Sequence, residues 1–438
     1  MTDYLISGAR LVDPAAGVDA AADVLVRDGV VAAVGAGLAS PGAEVIDCSG
    51  AVIAPGLVDA HAHLREPGRE DEETIASASA AAAAGGFTAV CAMPNTDPVA
   101  DSAAVVEKVW ALGRHAGLVD VAPAGALTRS QAGEEMADLG EMARSVAGVR
   151  LFTDDGHGLQ DTLLARRAME YLVAFDAVYA EHCEVASLAA GAQMHEGERS
   201  AALGLRGAPA EAEELMAARD IALARLTGCR LHLLHVSTKG TVDLVRDAKR
   251  KGLRVTAEAT PHHFTLTDAA MEGYDPNAKV NPPLRGESDR TAVVEGLADG
   301  AVDVIATDHA PHAPEEKDQE LALAPPGLVG LETALALALT ELVAPGALTL
   351  LEAVRRLSTA PARLLGLGEH GGPVAPGRPA HLVVFDPSAL WTIEPAEFRS
   401  KGRNTPFGGR RVRGRVLHTF LRGRPTVRDG ELLDPVAV

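Results

Sequence analysis

Eight short apolar runs, separated by stretches of helical character, constrain the fold more than any other feature of the chain. The first is Val52-Ile53-Ala54-Pro55-Gly56-Leu57-Val58, which reads as one short buried strand. The others fall at 88–93, 119–127, 149–154, 177–182, 230–236, 254–260 and 302–308. After the first run, an alanine-rich helix is predicted around Ile75 to Ala84, stopping at Gly85-Gly86 as helices often do. Strands alternating with helices in this way predict an α/β protein whose parallel strands close into a (β/α)8 TIM-type barrel.

A 438-residue chain is too long for one small core and suits one large barrel with a smaller domain beside it. Both ends have the texture of short strands joined by tight turns. At the start, 5–14 and 22–31 carry Asp-Pro and Asp-Gly turn signals; near the end, 380–387 and 415–423 read the same way. The economical arrangement is a small β-sandwich-like domain built from 1–53 and 368–438, with the barrel over 54–367.

Several classes of function are disfavoured. No run of about 18 or more uninterrupted apolar residues is present, so no transmembrane helix is expected. Met1-Thr2-Asp3-Tyr4 lacks the basic-then-apolar pattern of a signal peptide, and a cytoplasmic location is expected. Cys48, Cys91, Cys183 and Cys229 are widely spaced without a CxxC, which suggests reduced core residues. The formal net charge of −20 argues against nucleic acid and anionic membranes as partners. An anionic substrate would therefore need local positive charge at its site.

Polar residues cluster where the strands end: His61 and His63, Asn95, Asp154 and Asp155, His182, His235, His262 and His263, Asp308 and His309. The C-terminal ends of barrel strands open on one face, where such folds keep their chemistry. In an extended segment, residues i and i+2 share a side, so His61 and His63 can aim at one point and Arg65 continues the alternation. Two neutral imidazoles at one point suit zinc, and a guanidinium fork beside them suits a carboxylate. A buried structural role could explain any one of these residues, but not five converging strand ends. His61, His63, Asp154 or Asp155, His182, His235 and Asp308 are too many ligands for one tetrahedral zinc and suit two metals with a bridging oxygen.

The residues and their order resemble the amidohydrolase superfamily of metal-dependent barrel hydrolases. More narrowly, Asp59-Ala60-His61-Ala62-His63-Leu64-Arg65-Glu66-Pro67-Gly68, Ala92-Met93-Pro94-Asn95-Thr96 and Ala306-Thr307-Asp308-His309-Ala310-Pro311-His312 resemble the signature stretches of dihydroorotases. That resemblance implies reversible, zinc-dependent cyclisation of N-carbamoyl-L-aspartate to L-dihydroorotate in pyrimidine synthesis, with one or two Zn2+ per subunit. It implies Asp308 as the general acid and base, and His61, His63, Asp155, His182, His235 and Asp308 as metal ligands. It implies His63, Arg65, Asn95, Asn281, His312, Pro326 and Gly327 as substrate contacts. Many two-metal relatives bridge with a carbamylated lysine after the fourth strand; Leu151-Phe152-Thr153-Asp154-Asp155-Gly156 has none. Some bacterial dihydroorotases use an aspartate there, and spacing to His182 favours Asp155 over Asp154. Where the family usually has an aromatic residue, Pro326 removes an amide donor but keeps its carbonyl. Some dihydroorotases associate with aspartate carbamoyltransferase, so that partner and a homo-oligomer are expectations by resemblance.

The remaining polar features take plainer readings. His262 and His263 are expected to support the site or pack, His157 to sit in a loop, and Glu70-Asp71-Glu72-Glu73 to serve the N-terminal dipole of the following helix. The long, charged, proline-rich segment from His312 to Gly330 reads as a binding or lid loop. Two rival readings are a hydantoinase, dihydropyrimidinase or allantoinase on the same scaffold, and a non-catalytic member kept as an assembly subunit. The missing lysine and Arg65 speak against the first. The retention of a suitable residue at every ligand position speaks against the second.

Overall fold

The computed structural model describes residues 2–434. Its centre is a ring of eight parallel strands: β1 (Leu57–Ala62), β2 (Phe87–Ala92), β3 (Asp120–Pro123), β4 (Leu151–Phe152), β5 (Val178–Glu181), β6 (Arg230–Leu233), β7 (Val255–Ala259) and β8 (Val304–Ile305). β1 to β3 form one arc and β4 to β8 the other. The arcs meet in two parallel bridges, Gly125 with Phe152 and Ala62 with His309. Several strands are shorter than their apolar runs, the ladder ending before the run does. Small side chains from successive strands, among them Val58, Ala60, Ala89, Ala180, Val304 and Ala306, form one buried cluster.

Helix α1 spans Ile75–Ala84, capped by Thr74, whose side chain accepts from the Ser77 amide. It stops because Gly86 adopts φ +88°, where a Cβ would also come within 2.7 Å of Val383 Cγ2.

The run 52–58 is not one strand. Val52–Pro55 pairs with Leu382–Thr392 and Arg10–Asp13 in a sheet outside the barrel, and β1 starts only at Leu57. Gly56 is the joint. A Cβ there would lie 2.2 Å from Thr88 Cγ2, so a larger residue could not make this close passage from sheet to barrel.

That outer sheet has seven strands and draws on both ends of the chain, 10–13, 18–21 and 52–55 joining 382–392, 411–421, 424–428 and 431–432. A four-stranded sheet from 4–7, 23–27, 30–35 and 44–47 packs on it. Ile6, Val24 and Val26 of the smaller sheet share a core with Leu11, Ile53, Val384 and Phe420 of the larger. All four cysteines are buried and unpaired. Among the described residues, no helix is long and apolar enough to cross a membrane.

Candidate metal centre and active site

The seam where β1 meets β8 sets the frame of the site. Asp59, fully buried, accepts from the Thr307 amide at 3.0 Å and the Thr307 hydroxyl at 2.5 Å. The Asp308 amide donates to the His61 carbonyl at 3.0 Å, and the His63 amide to the His309 carbonyl at 2.8 Å. The backbone bonds that close the barrel therefore also fix His61, His63 and Asp308 relative to one another.

Asp155 lies between two pairs of histidines. Its Oδ2 is 3.5 Å from His61 Nε2 and 3.4 Å from His63 Nε2. Its Oδ1 is 3.4 Å from His235 Nε2 and 3.7 Å from His182 Nδ1. Asp308 Oδ1 completes the first group, 3.2 Å from His63 Nε2 and 3.5 Å from His61 Nε2. Two clusters with metal-ligand spacing thus share one carboxylate: His61, His63 and Asp155, then Asp155, His182 and His235.

These donors fit divalent cations. His61 Nε2 and Asp155 Oδ1 are buried without a hydrogen-bond partner, a cost that a bound ion would relieve. His182 Nδ1 and His235 Nε2 face each other at 3.0 Å, an approach that demands a shared proton or a cation between lone pairs. Burial pushes the Asp155 carboxyl up, but His61 and the neighbouring His182 and His235 hold it well below the usual range. Burial likewise opposes ionisation of Asp308, and the neighbouring His61 and His63 outweigh it. Both carboxylates are therefore charged acceptors at neutral pH.

A further layer orients the imidazoles. His61 Nδ1 is 2.7 Å from Glu258 Oε1, and Glu258 Oε2 is 3.0 Å from His232 Nε2. His63 Nδ1 is 2.8 Å from Asn95 Oδ1. His182 Nε2 is 3.3 Å from Asn281 Nδ2. The oxygen acceptors behind His61 and His63 fix which ring nitrogen of each faces a metal. Glu258 and His232 escaped the sequence reading; a carboxylate in the middle of the apolar strand Val255–Ala259 was the available signal.

Asp154 is occupied elsewhere. Its Oδ1 accepts from the Leu127 and Thr128 amides at 2.8 and 3.0 Å, and its Oδ2 from the Thr128 hydroxyl. It ties β4 to the loop after β3 and turns away from the histidines.

Arg65 reaches the site by another route than strand alternation. β1 ends at Ala62, and Arg65 sits at φ +61°, a left-handed turn. The turn sends its side chain along the segment after β8: Nε lies 3.0 Å from Glu72 Oε2 and donates to the Pro311 carbonyl at 3.2 Å. Its Nη2 is 3.4 Å from His312 Nε2. His312 Nε2 is 3.0 Å from the Pro326 carbonyl. The Gly327 amide donates to the Lys279 carbonyl at 2.9 Å, and its carbonyl accepts from Asn404 Nδ2 at 3.0 Å. Asn404, which sequence reasoning missed, also accepts from the His312 amide and so pins both implied contact segments. A cavity of about 180 Å³ bounded by Glu184, Lys279, Asn281 and Pro326 adjoins this region, and one of about 620 Å³ lies beyond His312 and Asn404.

Glu72 and Glu73 do more than precede α1: Glu73 Oε1 accepts from the Thr74 amide at 3.2 Å and from the Ser77 hydroxyl at the start of the helix, whereas Glu72 faces Arg65 and His312. Both are buried before its cap, and neither lies in its first turn. Glu73 takes His309, Ser400 and the Lys401 amide, tying the barrel to the segment after residue 398. His263 bonds Thr260 Oγ1 at 2.8 Å and the Pro282 carbonyl at 3.0 Å, whereas both nitrogens of buried His262 lack partners.

A family model described as dihydro-orotase-like matches residues 50–241. The chain is 53% identical over 425 residues to a dihydroorotase of Pelotomaculum thermopropionicum, covering 97% of this chain and 98% of that one. It is 51% identical over 410 residues to a dihydroorotase of Streptomyces coelicolor, covering 94% and 96%. Among solved structures, an L-hydantoinase from Arthrobacter aurescens superimposes with a TM-score of 0.88 at 27% identity, over 99% of this chain and 98% of that one. A dihydropyrimidinase from Brevibacillus agri gives 0.86 at 24% identity, over 100% and 97%, a likeness of fold.

Proposed function

The chain belongs to the dihydroorotase family, and from that premise we propose how its residues hold metal, bind substrate and move the proton. It is a cyclic amide hydrolase of pyrimidine biosynthesis, interconverting N-carbamoyl-L-aspartate and L-dihydroorotate. The observation that carries the site reading is the position of Asp155, whose two oxygens each face one pair of histidines.

In this reading His61, His63, Asp155 and Asp308 would hold one Zn2+, and Asp155, His182 and His235 would hold a second where two are bound. When bound, zinc supplies Lewis acidity and water activated near neutral pH. Asp308, kept ionised beside His61 and His63, takes the proton of the attacking water on its carboxylate and returns it to the departing ring nitrogen. In the synthetic direction the same oxygen runs the exchange in reverse. Arg65 receives the substrate carboxylate, a group that hydantoin and dihydrouracil lack. All its protein partners among the described residues lie on Nε and Nη2, which leaves Nη1 and part of Nη2 for a carboxylate. Asn95, His312, Asn281 and the backbone of Pro326 and Gly327 line the rest of the substrate position.

Family membership also supports a cytoplasmic, self-associating enzyme and association with aspartate carbamoyltransferase. Size-exclusion chromatography with and without that partner tests both. The central test is steady-state turnover of L-dihydroorotate against hydantoin and dihydrouracil, before and after chelation. Preference for L-dihydroorotate, lost with chelator and restored by zinc, is expected. Preference for hydantoin, or full activity in metal-free protein, would overturn the reading.

A further inference from the structure

We propose that Glu72 is a positioning residue for substrate recognition: one buried carboxylate sets both Arg65 and His312 for the substrate carboxylate. This rests on the reading of Arg65 given above.

Glu72 lies in the turn between β1 and α1 and is 1% exposed. Its Oε2 is 3.0 Å from Arg65 Nε, and its Oε1 is 2.8 Å from His312 Nδ1. The same Oε1 accepts from Arg69 Nη2 at 2.7 Å. Its contact with His312 Nδ1 holds the imidazole with Nε2 toward Arg65 Nη2 and the Pro326 carbonyl. Arg65 is buried as well, 8% exposed, and burial disfavours its charge. Glu72 is the strongest counter-charge opposing that effect.

The geometry separates anchoring from recognition. A guanidinium offers two edges, one ending in Nε and one made of the two terminal nitrogens. Glu72 and the Pro311 carbonyl hold the Nε edge. A substrate carboxylate is then met by the terminal fork, already rotated and already charged. Without the anchor, the long side chain must be ordered on binding, a cost that lowers affinity. Glu316 closes the arrangement from the outside, 3.4 Å from His312 Nδ1 and 2.7 Å from Arg69 Nη2. It is part-exposed and faces Arg69, so it backs the network without touching Arg65.

The test compares wild type, Glu72→Gln, Arg65→Met and the double variant on L-dihydroorotate, with metal content and Tm measured on each. Glu72→Gln keeps the shape and removes the charge. It is expected to raise KM about tenfold, with kcat within about twofold and metal content unchanged. In the Arg65→Met background the same change is expected to add clearly less than it does in wild type, because only its effect through His312 remains. Glu72→Asp, which keeps the charge but shortens the reach, should fall between wild type and Gln and serves if Gln fails to fold. Wild-type KM in Glu72→Gln, or a full additional loss in the Arg65→Met background, would overturn the proposal and leave the Arg65 reading intact. An Arg65→Met variant with wild-type KM would remove both.

Discussion

His61 Nδ1 lies 2.7 Å from Glu258 Oε1, so a side chain of β7 reaches across the barrel to hold one from β1. Both groups are fully buried. Glu258 also meets His232 Nε2 at 3.0 Å and the His235 amide at 3.2 Å. Because Glu258 accepts at Nδ1, the lone pair of His61 is left on Nε2, facing Asp155 and Asp308. Glu258→Gln is expected to weaken zinc affinity by about 10- to 100-fold, the usual effect of losing a carboxylate behind a ligating imidazole. Competition with a chromophoric chelator would measure it. Unchanged zinc affinity would mean that His61 does not need this partner to hold its orientation.

Asp154 and Asp155 are neighbours with opposite tasks, and one pair of variants separates them. Asp155→Asn should lose at least one equivalent of metal and lower kcat/KM by about a hundredfold or more. Asp154→Asn should keep its metal but lose on the order of 1–3 kcal/mol of stability, since it weakens acceptance from the Leu127 and Thr128 amides. Metal analysis by mass spectrometry and urea unfolding read the two effects independently. Metal loss confined to the Asp154 variant would reverse the assignment.

The parts of this architecture that were legible in the sequence are those that local pattern controls. The eight strands announce themselves as apolar runs, and the polar residues that follow them fall at the barrel mouth. Helix α1 was readable from its run of alanines and from the Gly85-Gly86 stop; its cap, Thr74, was not singled out. Arg65 was placed in the right neighbourhood for an incomplete reason: the strand ends three residues earlier, and a left-handed turn aims the side chain. The division of 52–58 at Gly56 depends on Thr88 pressing against it, a contact 32 residues away. Glu72 and Glu73 read only as acids serving the start of a helix because their partners His312 and Ser400 come from distant segments. Asn404 had no local signal, since its value lies in a chain segment folding back over the barrel mouth.

Arg65 offers the sharpest discrimination among cyclic amides. A buried guanidinium meeting a carboxylate with its terminal fork contributes on the order of a few kcal/mol. The net charge of −20 makes that local contact more necessary, because the overall field disfavours an anion. Arg65→Met keeps the bulk and removes the fork, and should cut kcat/KM for L-dihydroorotate by about a hundredfold. Dihydrouracil turnover should be poor in both proteins and nearly equal. Equal losses on the two substrates would show that Arg65 supports the fold of the site rather than carboxylate recognition.

The last prediction concerns acid stability at the opposite end of the barrel. His381 is 4% exposed, and neither of its ring nitrogens has a hydrogen-bond partner. Its ring stacks on His370, with centroids 4.0 Å apart and planes at 28°. His370 in turn bonds Asp120 at 2.8 Å and Thr88 Oγ1 at 3.0 Å, and Arg422 takes both oxygens of Asp120. Burial, reinforced by His370, pushes the His381 imidazole down to about 2. In the unfolded chain a histidine titrates near about 6.5. Between those values the unfolded state binds the extra proton, so stability rises with pH there. The contribution is fully present above the unfolded value and is lost progressively as pH falls below it. From pH 7.5 to pH 5 this one group should cost the folded state about 2 kcal/mol. His381→Phe keeps a ring against His370 and cannot titrate. Other buried histidines, such as His263 at about 4, affect both proteins alike and cancel in the comparison. Urea unfolding at a series of pH values should therefore show a shallower acid loss in the variant, by roughly one proton's worth of slope. Parallel curves for the two proteins would mean that His381 finds a place for its proton in the folded state.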